Sequence, residues 1–342
     1  MKKVVITGGA GFIGSHTAIE LYAAGFLPVV VDNFGASDRG MLGRVQAIAG
    51  AEFPVHEVDC RDRRALRHVF DLEGSCYGVI HFAAHKAVGA SVAEALSYHE
   101  NNLGSLLSLL NVMADIGLAN LVFSSSATVY GEADQLPVTE QTPTKPAESP
   151  YGRTKQICEL IIADTAASKT RLKAVTLRYF NPVGAHPSGK ISELPIGKPE
   201  NLVPFITQAA IGLRPELTVF GNDYPTPDGT CTRDYIHVVD LAKAHVAALN
   251  WLDRQERSSF NEIFNVGTGR ATSVLEAIAA FEAASGTRLP YRIGARRPGD
   301  VVESYANVDK ARRELGWRAE LSINEAMRDA WKWQVALKND PL

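Results

Sequence analysis

The most restrictive feature of this 342-residue sequence is its opening. An apolar run, Val4-Val5-Ile6, reaches Thr7 and passes straight into Gly8-Gly9-Ala10-Gly11-Phe12-Ile13-Gly14. Glycines at Gly8, Gly11 and Gly14 follow a GxxGxxG spacing between a strand and a helix, the context in which such a turn carries meaning. The backbone there must turn tightly, approach a pyrophosphate closely and let the helix pack on the sheet, with the phosphates facing the positive end of that helix. A chain that begins this way is expected to build a parallel sheet and to bind a dinucleotide at its first turn, with Phe12 and Ile13 opening the helix.

The rest of the first half agrees with that start. Short runs rich in Val, Ile and Phe (residues 3–7, 27–32, 53–58, 78–82, 121–125 and 172–179) alternate with helical stretches (13–24, 41–49, 63–70, 102–116 and 151–168). Strand and helix in strict alternation predict stacked βαβ units and a doubly wound parallel sheet of the Rossmann kind. After Asn181 the texture changes, because Pro182, Pro187, Pro195, Pro199, Pro204, Pro215, Pro225 and Pro227 break the chain into short pieces. The expected organisation is therefore a dinucleotide domain over residues 1–180 and a smaller mixed α/β lobe over 181–342 that holds the substrate. Residues 236–251 read as one more strand and helix that rejoin the first domain, and 323–337 as an amphipathic helix. A length above about 250–300 residues also favours two lobes over one core.

Composition narrows the class of function. With 46% hydrophobic and 21% charged residues and a net charge of −3, the chain has no electrostatic footprint for nucleic acid or anionic membrane. An anionic ligand must then be held by a local site. Met1-Lys2-Lys3-Val4-Val5-Ile6-Thr7 fails as a secretory signal because Gly8 and Gly9 interrupt its apolar run, and no stretch approaches the roughly 18 apolar residues of a membrane helix. Cys60, Cys76, Cys158 and Cys231 show no CxxC spacing and read as reduced thiols. His81 and His85 stand four apart at a strand end, where that spacing creates no coordinating face, so no metal is expected. The expected location is cytoplasmic.

Two sets of residues point to redox chemistry. Asp32, ending the second strand, is placed to accept the adenosine ribose hydroxyls and to repel a 2′-phosphate, which favours NAD over NADP. Asn33 follows it, and Asp59 at the end of the third strand is placed to reach the adenine or, alternatively, to cap the next helix. Tyr151-Gly152-Arg153-Thr154-Lys155 sets a phenol and an amine on one face at the start of a helix. Facing them should be Ser124-Ser125-Ser126 at the carboxyl end of a strand. A free tyrosine, with a pKa of about 10, is a poor base at neutral pH, and a nearby cation such as Lys155 favours the phenolate.

At this point the sequence resembles the extended short-chain dehydrogenase/reductase family, and within it the UDP-galactose (UDP-glucose) 4-epimerases. The likeness is carried by Thr7 to Gly14, His81-Phe82-Ala83-Ala84-His85-Lys86-Ala87-Val88, Ser124-Ser125-Ser126-Ala127-Thr128-Val129-Tyr130-Gly131, Arg178-Tyr179-Phe180-Asn181-Pro182-Val183-Gly184-Ala185-His186 and Arg233-Asp234-Tyr235-Ile236-His237-Val238. It spans essentially the whole chain. The resemblance implies that Tyr151 takes the proton from the sugar 4-hydroxyl, directly or through Ser126, while hydride passes from C4 to NAD. The transient 4-keto sugar then turns over and takes the hydride back on its other face. It further implies NAD contacts from Cys60, Phe82, Ala83, Ala84, Lys86, Asn102, Ser124, Lys155, Tyr179 and Phe180. Nucleotide-sugar contacts are implied for Lys86, Phe180, Asn181, Asn201, Leu202, Thr218, Val219, Phe220, Arg233, Tyr235, Arg297, Asp300 and Ser304, with the arginines suited to the diphosphate.

Ser304 stands where relatives carry either a bulky aromatic or a small residue, so N-acetylated UDP-hexoses are further candidate substrates; Tyr305 beside it makes the register decisive. The relatives that eliminate water carry Thr-Asp-Glu where this chain has Ser126-Ala127-Thr128, which argues against a dehydratase. UDP-glucuronate or UDP-pentose epimerisation stays open, as does a dinucleotide sensor without turnover, although a sensor has no use for Tyr151 and Lys155 together. The resemblance also implies a homodimer packed through two helices, here over residues 91–113 and 151–168.

Overall fold

A computed structural model describes residues 1–168, 170–297 and 300–340. Seven strands form the main sheet: β1 (Lys2–Thr7), β2 (Phe26–Asp32), β3 (Val55–Glu57), β4 (Gly78–His81), β5 (Asn120–Ser124), β6 (Lys173–Tyr179) and the strand Phe260–Val266. All pair in parallel, in the spatial order β3-β2-β1-β4-β5-β6 followed by Phe260–Val266. The winding therefore reverses between β1 and β4, and ligands of such sheets bind in the crevice at that switch point.

Period-two alternation explains why the sheet is apolar throughout. Val5, Val29 and Val31 point to one face and pack with Leu66, Leu106 and Ile162 from α3 (Arg63–Glu73), α5 (Ala95–Ile116) and α6 (Pro150–Ala167). Val4, Ile6 and Ile80 point to the other, beneath α1 (Phe12–Ala23) and the helix Val238–Asp253. The remaining helices of this half are α2 (Arg39–Ala49) and the short α4 (Val88–Ala93). Asp62, not Asp59, caps α3 by accepting from the Ala65 N–H at 2.9 Å. Ser149 caps α6, with Pro150 in its first turn, so Tyr151 stands at the very start of that helix.

The second lobe is assembled from short strands around its own core of Val183, Val203, Ile206, Val219, Phe281 and Met327. Asn181–Val183 pairs with Tyr235–His237, Leu217–Phe220 with Tyr291–Gly294, and Thr232–Arg233 lies between Thr272–Ser273 and Glu303–Ser304. Its hub is the buried Asp234, which accepts from the Thr268 N–H at 2.8 Å, the Thr268 hydroxyl at 2.6 Å and the Gly269 N–H at 3.0 Å. Arg233 and Tyr235 on either side are thereby fixed. Helix Val238–Asp253 then packs on α1 and behind β5 and β6, and Phe260–Val266 pairs along the whole of β6. Among the described residues no helix is long and apolar enough to cross a membrane.

Candidate active site

The glycine turn has the shape its spacing demands. Gly8 adopts φ +70°, and a Cβ there would lie 2.8 Å from the Ala83 nitrogen at the end of β4. A Cβ on Gly14 would stand 2.3 Å from the Gly8 carbonyl oxygen. The space above the turn is thus walled by backbone, with Gly11, Phe12 and Ile13 leading into α1. Such a cradle fits a pyrophosphate and has no room for side chains in its place.

Asp32 closes one end of this crevice, accepting from the Ala10 N–H at 3.0 Å, the Phe34 N–H at 2.9 Å and the Ser37 hydroxyl at 2.8 Å. Three donors hold a buried carboxylate in one orientation. Asn33 and Asp59 meet beside it; Asp59 is chelated by Arg61, whose hydrogen bonds hold its carboxyl below the usual range. Cys60 is buried, which pushes its thiol up to about 12 and leaves it neutral. At the far end, Phe82 packs on the sheet core and on the His245 ring, centroids 4.6 Å apart, so it is a core residue with one edge at the crevice. Ala83 and Ala84 continue the wall. Asn102 fixes the next stretch by accepting from the His85 N–H at 2.8 Å and donating to the His85 carbonyl at 3.1 Å.

Tyr151, Lys155 and the serines do converge. Lys155 is buried and donates to the Ser124 carbonyl at 2.7 Å, with its ammonium 6.0 Å from the centre of the Tyr151 ring. Ser126 opens a 3₁₀ turn beside the Tyr151 phenol, and its oxygen accepts from the Thr128 hydroxyl at 3.0 Å. Tyr179 lies beside Ser124 and Tyr151, and Phe180 packs with Val129, Tyr130 and Ala306 between the lobes. One expectation changes here. Burial pushes the Tyr151 phenol well above its ordinary value, Tyr179 adds to this, and Ser126 only partly offsets it. Lys155, held down to about 8 by burial, spends its hydrogen bond on Ser124 and does not by itself make the phenolate.

Across the crevice the second lobe presents long polar side chains that grip one another. Arg297 donates to Asp300 at 2.8 Å, and Arg233 reaches the same carboxylate at 3.5 Å while bonding the Val301 carbonyl at 2.9 Å. Phe220 is exposed beside Arg297, Thr218 and Leu202 are half-buried, and Tyr235 is buried. The Val219 side chain lies in the lobe's core, so what it offers a ligand is backbone. Ser304 pairs with Arg233 in the parallel ladder, with Tyr305 next along the chain. Asn181 is exposed and its N–H donates to the Asp234 carbonyl at 2.9 Å.

Glu193 is the residue that sequence reasoning missed. Its carboxylate accepts from Lys86 at 2.6 Å and from Asn201 at 2.7 Å, joining a residue from the first half to one from the second. The Lys86 side chain is more than half exposed, and the Glu193 carboxylate beside it holds its pKa above the ordinary lysine value. Glu193 lies in a proline-broken stretch with no periodicity, so nothing local in the sequence marks it.

A family model described as GDP-mannose 4,6 dehydratase matches residues 5–330. The chain is 52% identical to UDP-glucose 4-epimerase 2 of Arabidopsis thaliana, covering 97% of this chain and 95% of that one, and 50% identical to the Homo sapiens UDP-glucose 4-epimerase, covering 97% and 96%. Among solved structures, a UDP-glucose-4-epimerase from Stenotrophomonas maltophila with bound NAD and formylated UDP-arabinopyranose superposes with a TM-score of 0.96 at 47% identity, covering 99% of each chain. The Bifidobacterium longum UDP-glucose 4-epimerase with NAD+ and UDP gives 0.94 at 46%, again covering 99% of each.

Proposed function

From the premise that the chain belongs to the GDP-mannose 4,6 dehydratase family, and within it to the UDP-glucose 4-epimerases, we infer how its own residues carry out the reaction. It catalyses NAD-dependent C4 epimerisation of a UDP-hexose, interconverting UDP-glucose and UDP-galactose. NAD, when bound, would supply the acceptor and then the donor for the hydride at C4 of the sugar. In this reading Tyr151 removes and restores the proton of the 4-hydroxyl, either directly or through the Ser126 hydroxyl beside it. The phenolate form draws on three sources: the positive end of α6, the Lys155 ammonium, and the positive ring of the bound cofactor. Lys155 and Ser124 would hold the cofactor's sugar side, Gly8 to Gly14 its phosphates, and Asp32, Asn33 and Asp59 its adenosine end.

The single observation that carries this reading is the convergence of Tyr151, Lys155 and Ser126 beside a backbone-walled dinucleotide turn, with Ala127-Thr128 following where a dehydratase needs carboxylates. Arg233 and Arg297 would grip the diphosphate through their forked donors, and Asp300 the ribose hydroxyls. The test is epimerisation of UDP-galactose by wild type and Tyr151→Phe. Loss of general acid–base catalysis lowers kcat by about 10²–10⁴ with the fold intact; an undiminished Tyr151→Phe rate refutes the assignment.

A finer reading concerns the sugar range. The small Ser304 in the ladder beside Arg233 supports turnover of N-acetylated UDP-hexoses as well. Wild type should then epimerise UDP-N-acetylglucosamine and Ser304→Tyr should not; absence of N-acetyl turnover in wild type removes the idea. Homodimerisation is supported by Val92, Leu96, Leu107 and Leu160, large apolar side chains exposed on α4, α5 and α6. A cytoplasmic location fits four cysteines that are all free thiols.

A further inference from the structure

Glu159 lies one helical turn beyond Lys155 and two beyond Tyr151, on the same face of α6. It is buried, and it is paired: Arg178 on β6 donates to both its oxygens through Nε at 3.0 and 3.2 Å. The Ser125 hydroxyl donates to the same carboxylate at 2.6 Å. Ser125 stands between the two serines of interest, since Ser124 receives Lys155 through its carbonyl and Ser126 meets Tyr151. The Arg178 guanidinium also lies 4.8 Å over the ring of Tyr130, the last residue of the 3₁₀ turn that Ser126 opens. One carboxylate therefore ties the helix that carries Tyr151 and Lys155 to the strand end that carries their partners.

We propose that the buried Glu159–Arg178 pair, with Ser125, is a positioning device for catalysis: it sets the spacing between α6 and the β5 strand end, and thereby the Tyr151–Ser126 and Lys155–Ser124 contacts. The pair is costly to bury, and an apolar pair of similar volume often serves stability as well or better. What the apolar pair does not supply is a bond to Ser125 or a negative charge near Lys155. The charged and titratable groups facing Lys155 are Tyr151, Cys158 and Glu159 on α6, His81 on β4, and Arg178 beyond Glu159 on β6. Burial holds His81 at about 3 and neutral, and pushes Cys158 up to about 11 and neutral, so Glu159 is the anion that favours the charged lysine.

The inference rests on the catalytic roles given to Tyr151 and Lys155, so Tyr151→Phe is measured alongside; if that variant keeps full activity, the roles are wrong and the positioning claim falls with them. With those roles confirmed, Glu159→Gln should lower kcat by about 10–100-fold while KM stays within about 3-fold, because the loss appears only in the transition state. Its alkaline limb in kcat should move down by about one pH unit, as removal of the carboxylate and exposure of Lys155 to Arg178 both disfavour the ammonium. Ser125→Ala keeps both charges and should lower kcat by about 3–10-fold with no shift of the limb. Where Glu159→Gln does not fold, Glu159→Gln/Arg178→Met leaves no unpaired charge and is expected to fold with the same drop in kcat. A folded Glu159→Gln or double variant with native kcat overturns the proposal, as does a Ser125→Ala enzyme that is native in rate.

Discussion

At Gly8 and Gly14 the wall of the cofactor crevice is main chain, with Asp32 pinned by three donors, whereas across the gap Arg233 and Arg297 reach in on side chains that grip Asp300, and Asn201 reaches Glu193. The first side is finished before any ligand arrives. On the second, each cation is held by a carboxylate that a diphosphate can displace. This suits an epimerase, in which the cofactor ends each cycle unchanged and can stay bound while the nucleotide sugar must come and go. A prebuilt backbone cradle loses no side-chain entropy on binding, while the self-paired arginines exchange one anion for another.

Four experiments bear on that contrast. The largest effect is expected at Gly14→Ala, whose Cβ would be forced to 2.3 Å from a backbone oxygen that has nowhere to go; stability should fall by about 3 kcal/mol and copurifying NAD should be lost, as read by thermal melts and cofactor content. Arg297→Ala should behave in the opposite way. Removal of a half-exposed side chain leaves the melting temperature nearly unchanged but costs the diphosphate a charged hydrogen bond of about 1.5–3 kcal/mol, about 10–150-fold in kcat/KM. If Arg297→Ala melts early instead, the substrate side is structural and the contrast fails.

Acid should attack the cofactor half first. Burial holds His16 on α1 and His81 on β4 at about 3, and His245 behind Phe82 at about 4, against 6.5 in the unfolded chain. Their folded values are depressed, so the unfolded chain binds protons that the folded one refuses. The stability is fully present above about pH 6.5 and is lost as pH falls towards 3–4. Each histidine accounts for about 1.4 kcal/mol between pH 7.5 and 5.5, and His245→Phe should remove one proton from the measured slope of unfolding free energy against pH. The smallest effect is expected at Glu193→Gln, which keeps an acceptor for Asn201 but frees Lys86 of its counter-charge. KM for the UDP-hexose should change by less than about 3-fold, a rim-type electrostatic effect, and its salt dependence should steepen.

The sequence made the cofactor half legible because backbone constraints leave glycines and period-two valines behind. β1, β2, β4, β5 and β6 fall within a residue or so of their expected positions, and α6 begins at its Ser149 cap. Less was visible where partners come from afar. The strand Phe260–Val266 does not stand out in the sequence because Asn261, Glu262 and Asn265 interrupt its apolar pattern. Those amide oxygens accept from partners elsewhere, Asn261 from Thr176 on β6 at 2.8 Å and Asn265 from Tyr130 of the 3₁₀ turn at 2.6 Å. Similarly, α5 begins at Ala95 and not at 102, since before Asn102 it buries only Tyr98 among exposed or polar neighbours such as Leu96, Ser97 and Glu100. Among site residues, Asp59 was readable as either a ligand contact or a cap, and Asp62 turns out to be the cap. Glu193 was invisible because its meaning lies in Lys86 and Asn201, which the chain brings to it only on folding.

The pairing of Phe260–Val266 along β6 has a consequence for synthesis on the ribosome. The edge of β6 is complete once Tyr179 is made, but its neighbour is about 80 residues away, which at about 5–20 residues per second takes about 4–16 s. Throughout that interval an apolar strand edge has no native partner and is a template for pairing with another nascent chain. The middle of the chain must therefore emerge promptly, and slow codons between 180 and 260 should lower the yield of soluble enzyme more than the same codons placed after 266.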